Sequence, residues 1–174
     1  SDLLIAEGNY LHGGTDGHII KAKSVDSALR YNYIDQESFT DINLIDVWAC
    51  GSNRIIGNVI RSADTAEAVN AIGLTQRTRE DKPCPVAPRK SATVLYNSYL
   101  KRGEARWSTF IDNKENAALE LKNNAIANAR LLRRADDSWI GDDADNASPS
   151  GFADARLLPA STEAAVCASV RPGK

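Results

Sequence analysis

The sequence predicts a mainly α fold, one bundle of helices with an N-terminal arm and a C-terminal extension. Three observations carry that expectation. From Asp112 to Ile140 the chain is rich in Ala, Leu, Glu, Lys and Asn and holds neither Gly nor Pro, a composition that favours helix. Apolar residues recur at roughly helical spacing in the segments 35–50 and 91–110. Pro83, Pro85 and Pro88 are gathered between those segments, where missing donors break regular structure. At 174 residues the chain suits one domain with a real core, and 43% hydrophobic with 25% charged residues is ordinary for a globular protein.

Taken in order, residues 1–23 form an arm loosened by Gly8, Gly13, Gly14 and Gly17, with at most a short strand at Gly17–Lys23. Residues 24–140 form the helical domain. Ser24 caps a first turn. Phe39, Ile42, Leu44, Ile45, Val47 and Trp48 mark a buried helix face that ends at Gly51. Ile55, Ile56, Val59 and Ile60 suit strand or helix equally. Ser62 or Asp64 opens the next helix, which ends at Gly73. Ser91 caps another, whose face runs through Val94, Leu95, Tyr99 and Leu100 to Trp107 and Phe110. The long final helix buries Ala118, Leu119, Leu121, Ala125, Ala129, Leu131 and Leu132. Residues 141–174 begin as an acidic Gly/Asp/Ser/Pro loop and end in a short helix from Ser161 to Val170. No internal repeat is visible.

Net charge is −2, so no global basicity points to a polyanion partner. Charge is uneven, however. Residues 74–106 hold eight Lys/Arg against three acids, and residues 136–163 hold seven acids against one arginine. No apolar run reaches the roughly 20 residues of a membrane span, and no basic leader precedes Leu3. Cys50, Cys84 and Cys167 have no metal spacing and read as reduced, buried thiols of a cytoplasmic protein. His12 and His18 read as surface residues. No nucleophile–base set or phosphate loop is present. The pairs Asp136/Asp137 and Asp142/Asp143 lack an apolar pocket that would suit acid catalysis. The expectation is a protein that is not an enzyme and uses no cofactor or metal.

Two charge clusters remain. Arg133, Arg134, Asp136 and Asp137 close the long helical run, and Asp112, Lys114 and Asn116 open it. On physics alone these are a solvated helix end and a helix cap, with side-chain pairs of a few tenths of a kcal/mol. Arginine forks also suit phosphate.

The same residues carry a resemblance. FIDNKENAALELKNNAIANARLLRRADD resembles the RNA-binding inner portion of the coat proteins of rod-shaped plant RNA viruses. Asp112, Lys114, Asn116, Ala118 and Leu119 match a run in tobacco rattle-type coats, and Arg133 to Asp137 match an Arg-Arg-x-Asp-Asp cluster of tobacco mosaic-type coats. Ala92–Tyr96 and the run from Asn124 to Arg134 are similar to beet necrotic yellow vein-type coats. The resemblance covers roughly 45 residues and implies an antiparallel four-helix bundle that self-assembles into a helical rod. It implies that single-stranded RNA is held, without regard to sequence, by Lys114, Arg130, Arg133 and Arg134, ordered by Asp112, Asn116, Asp136 and Asp137. Its setting would be the virion, and the host cytoplasm during assembly. One departure stands out: an acidic Gly/Pro loop follows Asp137 where those coats continue with an amphipathic helix. Asp136, Asp137, Asp142, Asp143 and Asp145 would then store repulsion between subunits as a pH switch. The alternatives are a small α-helical interaction module, or a filament or tail-tube subunit without nucleic acid.

Overall fold

Short strands, three to a coil, stand where helices are expected. The structure, a computed structural model, describes residues 3–13, 17–37, 43–64, 69–75, 90–102, 108–136, 138–140 and 146. The first coil holds β1 (Leu3–Glu7), β2 (Tyr10–His12) and β3 (Ile20–Ala22). The second holds β4 (Asp26–Arg30), β5 (Tyr33–Asp35) and β6 (Asn43–Trp48), and the third β7 (Ser52–Ile56), β8 (Val59–Arg61) and β9 (Asn70–Thr75). The fourth is β10 (Ser91–Leu95), β11 (Ser98–Leu100) and β12 (Thr109–Asn113). The fifth is β13 (Ala118–Lys122), β14 (Ala125–Ala127) and β15 (Arg130–Arg134). Each strand pairs in parallel with its counterpart one coil on, giving sheet A (β1-β4-β7-β10-β13), sheet B (β2-β5-β8-β11-β14) and sheet C (β3-β6-β9-β12-β15). A last strand, β16 (Trp139–Ile140), adds antiparallel to β15. The architecture is a parallel β-helix.

The core follows from stacking like on like. Ala6, Leu29, Ile55, Val94 and Leu121 stand in register in sheet A. Leu11, Ile34, Ile60, Tyr99 and Ile126 do so in sheet B, and Ile20, Ile45, Ile72, Ile111 and Leu132 in sheet C. Leu29, Ile34, Ile45, Ile55, Ile60, Ile72, Val94 and Ile111 are wholly inaccessible to solvent. Each contributes roughly 1.5–3 kcal/mol of transfer free energy. Tyr99 stacks on Phe110 across the interior at 6.1 Å, and its hydroxyl donates to the carbonyl of Val69 at 3.2 Å.

The corner from sheet A to sheet B is built the same way in every coil. One residue takes left-handed backbone: Gly8, Tyr31, Gly57, Tyr96 and Asn123 have φ of 67°, 55°, 67°, 57° and 56°. An asparagine follows each of them: Asn9, Asn32, Asn58, Asn97 and Asn124. The backbone N–H and Nδ2 of each donate to Oδ1 of the next, at 2.9–3.0 Å from Asn9 through Asn97. Asn124 closes the series on Asn146 at 3.1 and 2.8 Å. Nδ2 of Asn32, Asn58, Asn97 and Asn124 also reaches a sheet A carbonyl one coil back, as from Asn58 to Leu29 at 3.0 Å and from Asn97 to Ile55 at 2.9 Å. The ladder satisfies polar groups that the tight corner would otherwise leave buried and unpaired.

The corner from sheet B to sheet C uses charge. Lys101 is fully buried, and its Nζ donates to the carbonyl of Ala63 at 3.1 Å and to that of Arg102. Burial pushes its ammonium pKa down, Asp64 opposes that shift and Arg102 adds to it. Arg102 bonds the Asp35 carboxylate at 2.8 Å and the carbonyls of Ser62 and Gln36.

This corrects the expected four-helix bundle: the described residues contain no helix. Of the helix face read from Phe39 to Cys50, Asn43–Trp48 is β6, while Phe39 and Ile42 lie outside the described residues. Within the described residues, the segment ending at Gly73 contributes to β9, the one from Ser91 to Phe110 is β10, β11 and the start of β12, and the long helix from Asp112 is the rest of β12 with β13, β14 and β15. Residues 65–68, 103–107 and the short helix expected at 161–170 lie outside the described residues. The physical reason is that strands of three to six residues, broken by corners, bring apolar residues back at mixed spacings of one to four, which imitates a helical stripe. Residues 3–12 and 20–22 are the first coil, with the short strand expected near Gly17–Lys23 present as β3. An internal repeat exists, with unequal coil lengths. The expectation of three reduced thiols is corrected at Cys50, which is disulfide-bonded. Cys84 and Cys167 lie outside the described residues, as do Asp137, Asp142, Asp143 and Asp145 of the expected pH switch.

Candidate functional site

Sheet C carries the densest polar cluster. Its strands repeat a polar–apolar–apolar–polar pattern: His18-Ile-Ile-Lys21, Asn43-Leu-Ile-Asp46, Asn70-Ala-Ile-Gly73, Thr109-Phe-Ile-Asp112 and Arg130-Leu-Leu-Arg133. The central apolar pairs enter the core, and the flanking polar residues meet one another from coil to coil. Lys21, Asp46, Gly73, Asp112 and Arg133 form one register row. Asn43, Asn70, Thr109 and Arg130 form another.

Contacts knit the two rows. Asn70 Nδ2 donates to Asn43 Oδ1 at 3.1 Å and lies 3.4 Å from Asp112 Oδ2, and the Thr109 hydroxyl donates to Asn70 Oδ1. Asp46 accepts from the Thr75 hydroxyl at 2.7 Å through Oδ1, while its Oδ2 lies 3.4 Å from His18 Nε2. His18 Nδ1 sits 2.7 Å from the carbonyl of Asn43. That carbonyl requires Nδ1 to carry a proton, which turns Nε2 toward the Asp46 carboxylate. Gly73 stands between the two aspartates in the row, and the Asn43 amide occupies the space a Cβ there would need. Asp46 is 3% and Asp112 4% exposed. Lys114 Nζ lies 3.7 Å from Asp112 Oδ2 with its own side chain half exposed.

Two carboxylates therefore stand two strands apart, about 10 Å between backbones at the ~4.8 Å strand spacing. Around them are an imidazole, an ammonium and several amide and hydroxyl groups in low-dielectric surroundings. The set pairs a carboxylate with an imidazole at Asp46–His18 and a carboxylate with an ammonium at Asp112–Lys114, the two groupings through which protons could be exchanged. Among the described residues no three His, Cys, Asp or Glu side chains converge as a metal site.

Of the expected RNA-binding residues, Asp112 and Arg133 are register partners on neighbouring strands, and Lys114 joins them by its ion pair. Arg130 pairs in register with Thr109, and Arg134 with Asn113. Asn116, Arg134 and Asp136 line a separate cavity of about 440 Å³ with Asn113, Leu119 and Leu132. There the Ser138 hydroxyl and amide hold the Asp136 carboxyl below its usual range, with Arg134 adding to the effect. Asp137 lies outside the described residues. Sequence reasoning missed His18, Asn43, Asp46, Asn70 and Thr75. The repeated polar–apolar–apolar–polar pattern was the signal that could have found most of them.

Comparison with protein-family models, with curated proteins and with solved structures finds no match for this chain.

Proposed function

We propose that this protein acts on polysaccharide, laying a glycan chain along sheet C and cleaving it between Asp46 and Asp112. The observation that carries the reading is the Asp46–Gly73–Asp112 row. Two strand spacings let the carboxyl groups approach the roughly 6.5–9.5 Å separation at which a water fits between base and substrate. Asp112, ion-paired with Lys114, takes the proton of that water as it attacks the anomeric carbon. With a second proton held between His18 Nε2 and Asp46 Oδ2, besides the one on Nδ1, that pair gives it to the departing glycosidic oxygen, so the products are a hemiacetal and an alcohol with inverted configuration. Asn43, Asn70 and Thr75 are suited to sugar hydroxyls. Asp46 and Asp112 are almost wholly buried, so the reading requires the Asn43 and Asn70 amides to give way to the glycan. A disulfide at Cys50 suits an oxidising compartment, where extracellular glycans are met.

The expectation of a non-enzymatic subunit weighs nucleophile–base sets, phosphate loops and the pairs Asp136/Asp137 and Asp142/Asp143, and not Asp46 with Asp112. The test is release of reducing ends from soluble polysaccharides, neutral and uronic. Wild type should release them, and Asp46→Asn and Asp112→Asn should each lower the rate by at least 100-fold with folding intact. No release from any substrate by the wild type would sink the reading.

A second reading, a self-assembling subunit that packages single-stranded RNA, is favoured by one observation: Arg130, Arg133 and Arg134 lie on β15, and Lys114 follows the end of the adjacent β12. The bundle geometry implied by the coat resemblance does not carry over to it. Rods with nuclease-protected RNA in negative-stain micrographs would favour this reading over the first.

A further inference from the structure

The corner between sheets A and B uses glycine at two left-handed positions and asparagine at a third, but tyrosine at Tyr31 and Tyr96. A bulky side chain at positive φ is strained, and such strain persists where something else requires the residue. Burial does not supply that requirement, because Tyr31 is 58% and Tyr96 62% exposed, the most exposed large hydrophobic residues described. Their backbones are nonetheless fixed. The Tyr31 amide donates to the Ile56 carbonyl at 3.0 Å, and that of Tyr96 to the Lys122 carbonyl at 3.3 Å. The Tyr31 ring lies across Gly57, so close that a Cβ there would stand 2.6 and 2.7 Å from Cδ1 and Cε1. One ring face is therefore braced on backbone, and more than half of the side chain meets solvent. The backbones of Tyr31 and Tyr96 flank Gly57 in the stack, two strand spacings or about 10 Å apart, and the Tyr31 ring reaches over the coil between them.

We propose that Tyr31 and Tyr96 form a glycan-binding ledge, separate from sheet C, that holds an extended pyranose chain running along the solenoid. An aromatic face carries negative charge density and accepts the C–H face of a sugar ring. Two exposed tyrosines on one line of the solenoid, two coils apart, favour a polymer that spans both over a monosaccharide that meets one. The choice of glycan as ligand rests on the function proposed above, whereas the ledge itself rests on strain, exposure and spacing.

The test is calorimetric titration of the full chain with cellohexaose, xylohexaose and hexagalacturonate. It compares wild type with the double variants Tyr31→Asn/Tyr96→Asn and Tyr31→Phe/Tyr96→Phe. Asparagine already occupies this backbone position at Asn123. The Asn variant should keep or raise the melting temperature, lose at least tenfold in affinity for a hexasaccharide, and leave cleavage of a disaccharide-sized substrate unchanged. The Phe variant should keep the affinity. Absence of hexasaccharide binding by wild type, or binding unaffected by the Asn variant, would overturn the ledge. So would a wild type that binds oligouridylate through these tyrosines and no glycan, because base stacking would then be their use. If the Asn variant loses binding while wild type cleaves nothing, the ledge stands and the cleavage reading falls. If Asp46→Asn abolishes cleavage while the Asn variant binds normally, the reverse holds.

Discussion

The backbone N–H and the Nδ2 of Asn58 both donate to Oδ1 of Asn97, each at 2.9 Å. Asn97 in turn passes the same two bonds to Asn124 and reaches back to the Ile55 carbonyl. Truncating it orphans two buried donors on one side and a buried acceptor on the other. At ~1–3 kcal/mol per orphaned group, Asn97→Ala should destabilise the protein by about 3–5 kcal/mol. Urea unfolding measures this, and a loss under 1 kcal/mol would show that the ladder is dispensable. Asn9→Ala, at an exposed end of the ladder, should cost far less.

Gly73→Ala places a methyl group inside the space of the Asn43 amide. The expected outcome is a loss of about 1–3 kcal/mol together with lowered activity, since Asn43 and Asn70 are displaced with it. The double variant Gly73→Ala/Asn43→Ala should recover stability without recovering activity. Thermal melts with parallel rate measurements separate the two effects, and additive losses would contradict the assigned contact.

Lys101 has a folded pKa below its ordinary 10.5 because burial disfavours the charge. Between the folded value and 10.5 the unfolded chain holds a proton that the folded chain has released. Unfolding there takes up a proton, so stability rises with pH through that window. The stability of wild type relative to Lys101→Met should therefore climb as pH is raised from neutral toward 10.5, read from denaturant midpoints. A flat or falling difference would contradict the shift.

Reduction of the Cys50 disulfide should lower stability by ~2–4 kcal/mol. Dithiothreitol should depress the melting temperature of wild type and leave that of Cys50→Ser unchanged. Equal sensitivity of both would remove Cys50 from any structural role.

Much of the β-helix was legible in the residues, though not by periodicity within a window. Gly8-Asn9, Tyr31-Asn32, Gly57-Asn58, Tyr96-Asn97 and Asn123-Asn124 each precede a short stretch with a core residue at its second position. That is a repeat, but its steps of 23, 26, 39 and 27 residues defeat any fixed-period search. The run from Ala117 to Arg134 shows why helix was the natural reading. Its Leu119, Leu121, Ile126, Leu131 and Leu132 lie on three sheets around a corner, and coil closure, which is tertiary, decides between that and one helical face. Asp112, Lys114 and Arg133 are neighbours in the structure because β12 and β15 pair side by side, whereas the helical reading set Arg133 at the far end of the run from Asp112. His18 and Asp46 were unreadable as partners because 28 positions separate them and only stacking of the first two coils joins them.

The uneven ladder steps also bear on how the chain reaches its native state. Among the described residues every parallel strand pairing joins a coil to the next one, 21 to 39 residues away, and doubling a closing loop adds only ~0.6 kcal/mol of entropy. Closing the fourth coil is therefore nearly as easy as closing the second, long insertion included. Growth should proceed as a zipper from whichever pair of coils nucleates first, with a rate that depends on forming that pair rather than on total length.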